Sequence, residues 1–340
     1  MKQTLLGILF IVSLTCAAQD FKAPVDYLNF IGKESKPISA NTWKYTKAVA
    51  HSKSARRIDA SRKNLIKSIQ AASKKIGATN GYKGDVVYRD QLLAYFSISE
   101  KYINDEYDKI INMQEVAEQS YDLMEAYILT RDMVNEKINA EFEKLNANQM
   151  EFANKYNITL SEDETELSKK MEISNQVFKH QSDMYLIFFK VYITDANLMK
   201  AVQDKNINTM QQNASALESF VTEGIEKLKA SKPYKNDMML VNATKKVLEF
   251  YKKEALEFAP AVTDFMMLNQ KAEEGKKAMD AKGKPSKAEL DAYNKTVAGL
   301  NKAIDGYNKL NTKFNNDRNN AITAWNAASE GFVSKHVPKD

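Results

Sequence analysis

The sequence predicts an all-α protein: two tandem, related helical-bundle repeats of long helices, elongated in shape. Three observations carry that expectation. Positions 85–223 contain neither glycine nor proline. Sheet-based folds need turn residues every dozen or so positions, so a stretch this long without them calls for long helices joined by Asn- or Ser-based turns. Apolar residues recur at steps of three, four, seven and eight, the spacing of one helix face. Short matches between the first and second halves also keep their order along the chain.

The composition sets bounds on this reading. A chain of 340 residues that is 44% hydrophobic can bury a substantial core, in one large domain or two of ordinary size. With 27% charged residues it is not a membrane-embedded chain. The first eighteen residues read as an export signal. Met1-Lys2 supplies the positive charge, Leu5 to Leu14 an apolar run too short to span a bilayer, and Cys16-Ala17-Ala18 small residues for cleavage. Cleavage after Ala18 leaves Gln19 first and no cysteine, so packing alone must hold the mature chain in an oxidising compartment. The rival reading lipidates Cys16, although Ser13-Leu14-Thr15 lacks the small residue such signals place before the cysteine. The formal charge of +5 falls to +4 on loss of Lys2, and lysines alternate with acids throughout. Such a surface gives no nucleic-acid footprint.

Taken in order, the elements begin with a short helix led by Pro24. Pro37-Ile38-Ser39 then opens a long helical stretch to Gly77, with Trp43, Ala50, Ile58, Leu65, Ile69 and Ile76 on its apolar face. Gly77, Gly81 and Gly84 mark a turn, and Asp85 caps the next helix through Leu92, Phe96, Ile103 and Ile110. Another helix runs from Tyr127 to Phe152. Asn157 to Leu160 forms a break, after which Ser161 and Glu164 make a capping-box pattern opening the second half. The run Met184 to Ile193, interrupted only by Lys190, is the most apolar after the signal and reads as a central core helix, with a lipid- or partner-facing helix as the alternative. Asp204 to Asn208 interrupts the helix after Val202.

The two halves, 19–160 and 161–340, correspond piece by piece. Lys47-Ala48-Val49 matches Lys200-Ala201-Val202 at an offset of 153, and Tyr82-Lys83-Gly84-Asp85 matches Tyr234-Lys235-Asn236-Asp237 at 152. Leu93 to Phe96 and Ala117-Glu118 match Leu248 to Tyr251 and Ala272-Glu273 at 155. Asn146-Ala147, Phe152 and Lys155 match Asn326-Ala327, Phe332 and Lys335 at 180. The jump from 155 to 180 gives the second half 25 extra residues around the Gly283-Lys284-Pro285-Ser286 turn. They read as a hairpin near 270–305 whose arms are each longer by about 12 residues, or roughly 18 Å.

The residue types that carry chemistry are few. Only His51, His180 and His336 are histidines, and none sits in a Glu-x-x-His pair, so a di-iron carboxylate set is missing. With no His-Glu-x-x-His and no cysteine in the mature chain, neither metal nor other cofactor is expected. No Gly-rich phosphate loop, Gly-x-Ser-x-Gly elbow or dinucleotide fingerprint occurs. The most distinctive polar stretch runs from Ala50 to Lys63 and holds three of the six arginines. Two readings of it stand. His51, Lys53, Arg56, Arg57 and Arg62 form a site for a small anionic ligand, since Arg offers paired donors to carboxylate or phosphate. Alternatively His51, spaced by sevens from Ile58, Leu65 and Ala72, is a core histidine, and the arginines are a solvated face paired with acids. Glu115, Glu118, Asp122 and Glu125, at steps of three and four, read as a solvated or ion-paired stripe, and as a divalent-cation stripe in the sharper reading. Tyr88, Tyr95 and Tyr102, seven apart, read as packing before carbohydrate stacking.

Lys47-Ala-Val-Ala-His51-Ser-Lys-Ser-Ala-Arg56-Arg57, Tyr185-Leu-Ile-Phe-Phe-Lys190 and the terminal Phe332-Val-Ser-Lys-His336-Val-Pro338-Lys resemble a group of secreted bacterial surface proteins of Bacteroidota and leptospires. The resemblance runs the length of the chain. It implies a periplasmic or cell-surface address and supplies no activity, substrate or catalytic residue. The sequence therefore points to a non-enzymatic binding or structural protein of the envelope, its partner a protein or another envelope component. A carrier of a small anionic ligand is the alternative, and an uncommon hydrolase a third reading.

Overall fold

A computed structural model describes residues 21–52, 54–117, 120–160 and 165–339. Among these residues the chain is helical and contains no strand. The helices are α1 (Pro24–His51), α2 (Ala55–Gly77), α3 (Val87–Ala117), α4 (Tyr121–Lys155), α5 (Glu166–Gln203), α6 (Ile207–Ala230), α7 (Met239–Lys253), α8 (Ala259–Lys282) and α9 (Lys287–His336). A 3₁₀ turn at Tyr234–Asn236 precedes α7, and a π-helical segment, Glu254–Phe258, joins α7 to α8.

The described residues fall into two compact units. Unit 1 draws on Met1–Tyr45, Arg56–Asp105 and Val134–Asp163, and unit 2 on Thr46–Ala55, Glu106–Met133 and Glu164–Asp340. The core of unit 1 gathers Tyr27 and Ile31 of α1, Leu65, Ile69 and Ile76 of α2, Leu92 and Phe96 of α3, and Phe152 of α4. Within α1, α2 and α3 these positions step by four and seven, so each of these helices presents one stripe inward. In unit 2, α5 buries Val177, Met184, Val191 and Leu198 at steps of seven, and α6 buries Met210, Leu217 and Gly224 at the same interval. A seven-residue stripe suits helices packing at a shallow crossing angle. No residue of Met184–Ile193 is exposed, which places the most apolar run at the centre of unit 2. A Cβ on Gly224 would lie 3.0 Å from a Leu248 methyl and 3.2 Å from Ile187, so α6 needs glycine to approach α5 and α7 this closely.

Two features depart from the sequence expectation. Pro37 does not open a helix. α1 runs through it from Pro24, which sits at the first helical position where its missing N–H costs nothing. An interior proline loses one hydrogen bond, and the burial of Tyr27 and Ile31 on one side of it, with Ala48 buried on the other, outweighs that loss. The expected unbroken stretch to Gly77 is also interrupted. The amide of Ser54 donates to Ser52 Oγ at 3.2 Å, a local side-chain bond that competes with the helical one.

Other turns follow local chemistry. Gly81 has φ 69°, and a Cβ there would meet the Asp85 carbonyl oxygen at 2.0 Å, so only glycine fits. α5 is capped at its start by Thr165, whose side chain accepts from Ser168 N. The Ser161–Glu164 capping box lies outside the described residues. After Gln203 the chain turns through Lys205 (φ 54°), and Asn206 caps α6. Between α8 and α9, Gly283 (φ 66°) makes the turn and Ser286 with Glu289 forms a reciprocal capping box. α9 has 50 residues, against 35 in α4.

Candidate functional site

The structure places the basic residues singled out above in different surroundings. His51 ends α1 and belongs to unit 2. Its ring nitrogens are enclosed, with no hydrogen-bond partner among the described residues. Lys53 lies outside the described residues. Arg56 and Arg57, in unit 1, are exposed on the first turn of α2. Arg62 alone turns inward: Nε and Nη2 donate to Asp59 Oδ1 at 3.2 and 3.0 Å, and Nη1 to Asn104 Oδ1 at 3.1 Å. Its donors brace α2 against α3. Tyr88 is buried and Tyr95 half-buried in unit 1, as packing residues would be. Of the acidic stripe, Asp122 is exposed and Glu125 half-buried; the side chain of Glu115 and all of Glu118 lie outside what is described.

Unit 2 holds a cleft of about 250 Å³ between the start of α4, α5 and α6. Lys190, the one charge in the apolar run, projects into it. Its ammonium lies 4.3 Å from the centre of the Phe220 ring and 4.8 Å from that of Tyr121, and donates to Glu223 at 2.6 Å. Lys227 takes the other oxygen of Glu223 at 2.7 Å. Bonds from Lys190 and Lys227 hold the Glu223 carboxyl below its ordinary range despite burial. Burial, and then the hydrogen bond it donates to Glu125 at 2.9 Å, push the Tyr121 phenol up. The arrangement cages a cation with aromatic faces and a carboxylate.

A second cluster is sealed inside unit 2. Asp195 (α5), Glu254 (the π segment) and Arg318 (α9) are 2%, 0% and 9% exposed. Arg318 Nη2 donates to Glu254 Oε1, while its Nε lies 2.9 Å from Asp195 Oδ2 without its hydrogen being aligned on it. One guanidinium faces two carboxyls. Burial, then the charge of Asp195, pushes Glu254 up to about 9. Burial also raises Asp195, opposed by Arg318. Among the described residues Asp195 Oδ1 and Glu254 Oε2 have no hydrogen-bond partner, and burial favours the protonated form of both carboxyls. A carboxyl raised on folding adds stability that is complete below its unfolded value and is lost as pH rises through the folded one. Wild-type stability is therefore expected to fall as pH climbs from the ordinary carboxylate range toward about 9. In Glu254→Gln that alkaline decline flattens, as thermal unfolding across the pH range will show.

The third arrangement occurs once in each unit. In unit 1, Asp85 Oδ1 accepts from Val87 N at 3.4 Å at the start of α3, and its Oδ2 accepts from Lys155 Nζ at 2.7 Å and Tyr156 OH at 3.2 Å. Tyr82 packs edge-on against Tyr156 at 5.0 Å and 90°, and Lys83, at φ 51°, lies over the Tyr82 ring at 5.4 Å. Phe152 stands 5.3 Å from Tyr27 and 4.7 Å from Tyr156. In unit 2, Asp237 Oδ1 accepts from Met239 N at 2.8 Å at the start of α7. Its Oδ2 lies 2.7 Å from both Lys335 Nζ and His336 Nε2. Tyr234 packs edge-on against His336 at 5.2 Å and 81°, and Lys235, at φ 47°, lies over the Tyr234 ring at 5.3 Å. Phe332 stands 5.2 Å from His180 and 4.8 Å from His336. Burial raises Asp85, but its bonds to Lys155, Val87 N and Tyr156 prevail and hold it below the usual range. Lys335, against burial and with Met239 N and His336, holds Asp237 well below it.

The sequence reading missed the sealed cluster and the cage. Glu254 stands three residues after Tyr251 and four before Phe258, a polar residue at a core position of an otherwise apolar helix face, and that was the available signal. Among the described residues no group of three or more His, Cys, Asp or Glu side chains is placed to hold a metal ion. Nor is any helix among them long and apolar enough to cross a membrane. The chain matches no family model, no curated protein and no solved structure.

Proposed function

We propose that the protein is an exported, non-enzymatic binding or structural component of the cell envelope, built from two copies of one helical module. The observation that carries the duplicated scaffold is the pair of aspartate knots. Tyr82, Lys83 and Asp85 correspond to Tyr234, Lys235 and Asp237 at an offset of 152, and Phe152 and Lys155 to Phe332 and Lys335 at 180, with matching geometry in each unit. In both, the polar groups spend their bonding capacity on tying a helix start to a helix end, which is the work of a scaffold. The apolar segment at Leu5–Leu14 with Cys16-Ala17-Ala18 supports export.

Osmotic-shock fractionation with intact-mass analysis tests the reading. It expects a chain beginning at Gln19 in the envelope fraction; a full-length chain confined to the cytoplasm overturns it. The duplicated knots have their own test. Asp85→Ala and Asp237→Ala each remove the acceptor of the first backbone N–H of the following helix, worth about 1 kcal/mol, together with the tie to the distant helix end. Amide exchange is expected to rise at the start of α3 and the end of α4 in the first variant, and at the start of α7 and the end of α9 in the second. Unchanged exchange at the ends of α4 and α9 would show that the knots do not do equivalent work.

A further inference from the structure

Among the ring-bearing positions of the two knots two differ, and both differences introduce a histidine. Tyr156 in unit 1 corresponds to His336 in unit 2 at the offset of 180, and Tyr27 to His180 at 153. Each pair occupies the same place. Tyr27 and His180 lie against Phe152 and Phe332 at 5.3 and 5.2 Å, while Tyr156 and His336 bond the aspartate. Two of the three histidines of the chain thus sit at one end of unit 2, where unit 1 has phenols. Imidazole changes charge between about pH 5 and 8, and a phenol does not.

We propose that the knot of unit 2 is a proton-operated latch: protonation of His180 releases the end of α9 from α5 and the Tyr234 turn. The unit 1 knot, with tyrosine at both positions, cannot make this response. The reading stands on the local geometry and does not depend on where the protein resides.

His180 Nε2 is enclosed with no hydrogen-bond partner among the described residues. A neutral ring tolerates this as an unpaired acceptor; a protonated ring must bury an N–H and a charge without an acceptor, which is more costly. The residue is half-buried with Nε2 on its enclosed side, and its ring packs against Phe332 at 5.2 Å and Tyr234 at 6.4 Å. The charged and titratable groups facing it are Asp183 on α5, Asp237 and Tyr234 at the turn, with Lys235 over the Tyr234 ring, and Lys335 and His336 on α9. Burial lowers the affinity of His180 for a proton, Asp183 and Asp237 oppose that, and His336 adds to it. Asp237 is already engaged by Lys335, His336 and Met239 N. His336 bonds that carboxylate and ends α9, so a charge gained by His180 arises beside the aspartate knot. A histidine depressed on folding contributes stability that is present above its ordinary value of 6.5 and is lost as pH falls.

The experiment is amide exchange at the ends of α9 and α4, expressed as protection relative to the unfolded chain, from about pH 7.5 to 5.5. Imidazole ¹H–¹⁵N spectra of the three histidines are recorded on the same samples. Protection at the end of α9 is expected to fall several-fold, beginning near pH 6.5 and preceding the titration of His180 in the closed protein, while the end of α4 stays constant. His180→Tyr, the unit 1 residue, is expected to abolish the fall, and His180→Phe to do the same should the phenol not fit. Protection independent of pH in the wild type, or an undiminished fall in either folded variant, overturns the latch. Loss of protection that is already complete above about pH 7.5, where an open imidazole binds almost no proton, overturns it even if neither variant folds.

Discussion

Replacing Arg318 with alanine is expected to destabilise unit 2 by about 3–5 kcal/mol, read as a lower denaturant midpoint at unchanged slope. Among the described residues Arg318 is the cation that opposes the raising of Asp195 and Glu254, both of them sealed from solvent. Without it, two carboxyls face each other in the core, and folding must bind protons or accept a buried charge. The loss should therefore grow as pH rises. A triple variant, Arg318→Met with Asp195→Asn and Glu254→Gln, separates charge from packing: it removes the unpaired charges and is expected to recover most of the stability. A single variant as stable as the wild type at pH 8 would show that the cluster is solvated in solution.

Trp325→Ala carries the second large effect, about 3–5 kcal/mol as for other buried aromatic truncations. Trp325 is stacked on Phe188 at 4.1 Å and 8°, touches Tyr185 at 5.8 Å, and donates its indole N–H to Thr244 Oγ1 at 3.0 Å. One side chain thus joins α9 to α5 and α7. Thr244 Oγ1 also donates to the Leu240 carbonyl, so it keeps a bond when the indole is lost. The cost therefore falls mainly on packing. Trp325→Phe keeps much of the ring and is expected to recover more than half of the difference. Calorimetry of both variants checks this; an alanine variant within about 1 kcal/mol of wild type would mean the pocket collapses to fill the space.

What the sequence made legible was whatever rests on local chemistry. The turn at Gly81 and Gly84, the interruption at Asp204–Asn208 and the hairpin at Gly283 are set by residues that prefer those conformations. The central position of Met184–Ile193 follows from its apolar surface alone. Where the reading failed, the deciding partner lay far along the chain. Arg62 looks like a surface arginine until Asn104, 42 residues away, meets it. Asp195 and Arg318 meet across α5 and α9, and neither neighbourhood announces the other. Pro37 misled because a local preference for a helix start was overridden by core burial on both sides of it. The matched spacing of the two knots was readable, but the histidines within them became meaningful only once their rings were seen against Phe332.

The placement of the two tryptophans gives the chain a built-in pair of optical labels. Trp43 lies half-buried in unit 1, and Trp325 lies buried and stacked in unit 2. Each compact unit holds one indole in its own surroundings, so the emission of the intact protein is a sum of two signals, each belonging to one unit. Removing either fluorophore leaves a chain whose remaining light follows a single unit through heating, denaturant or acid.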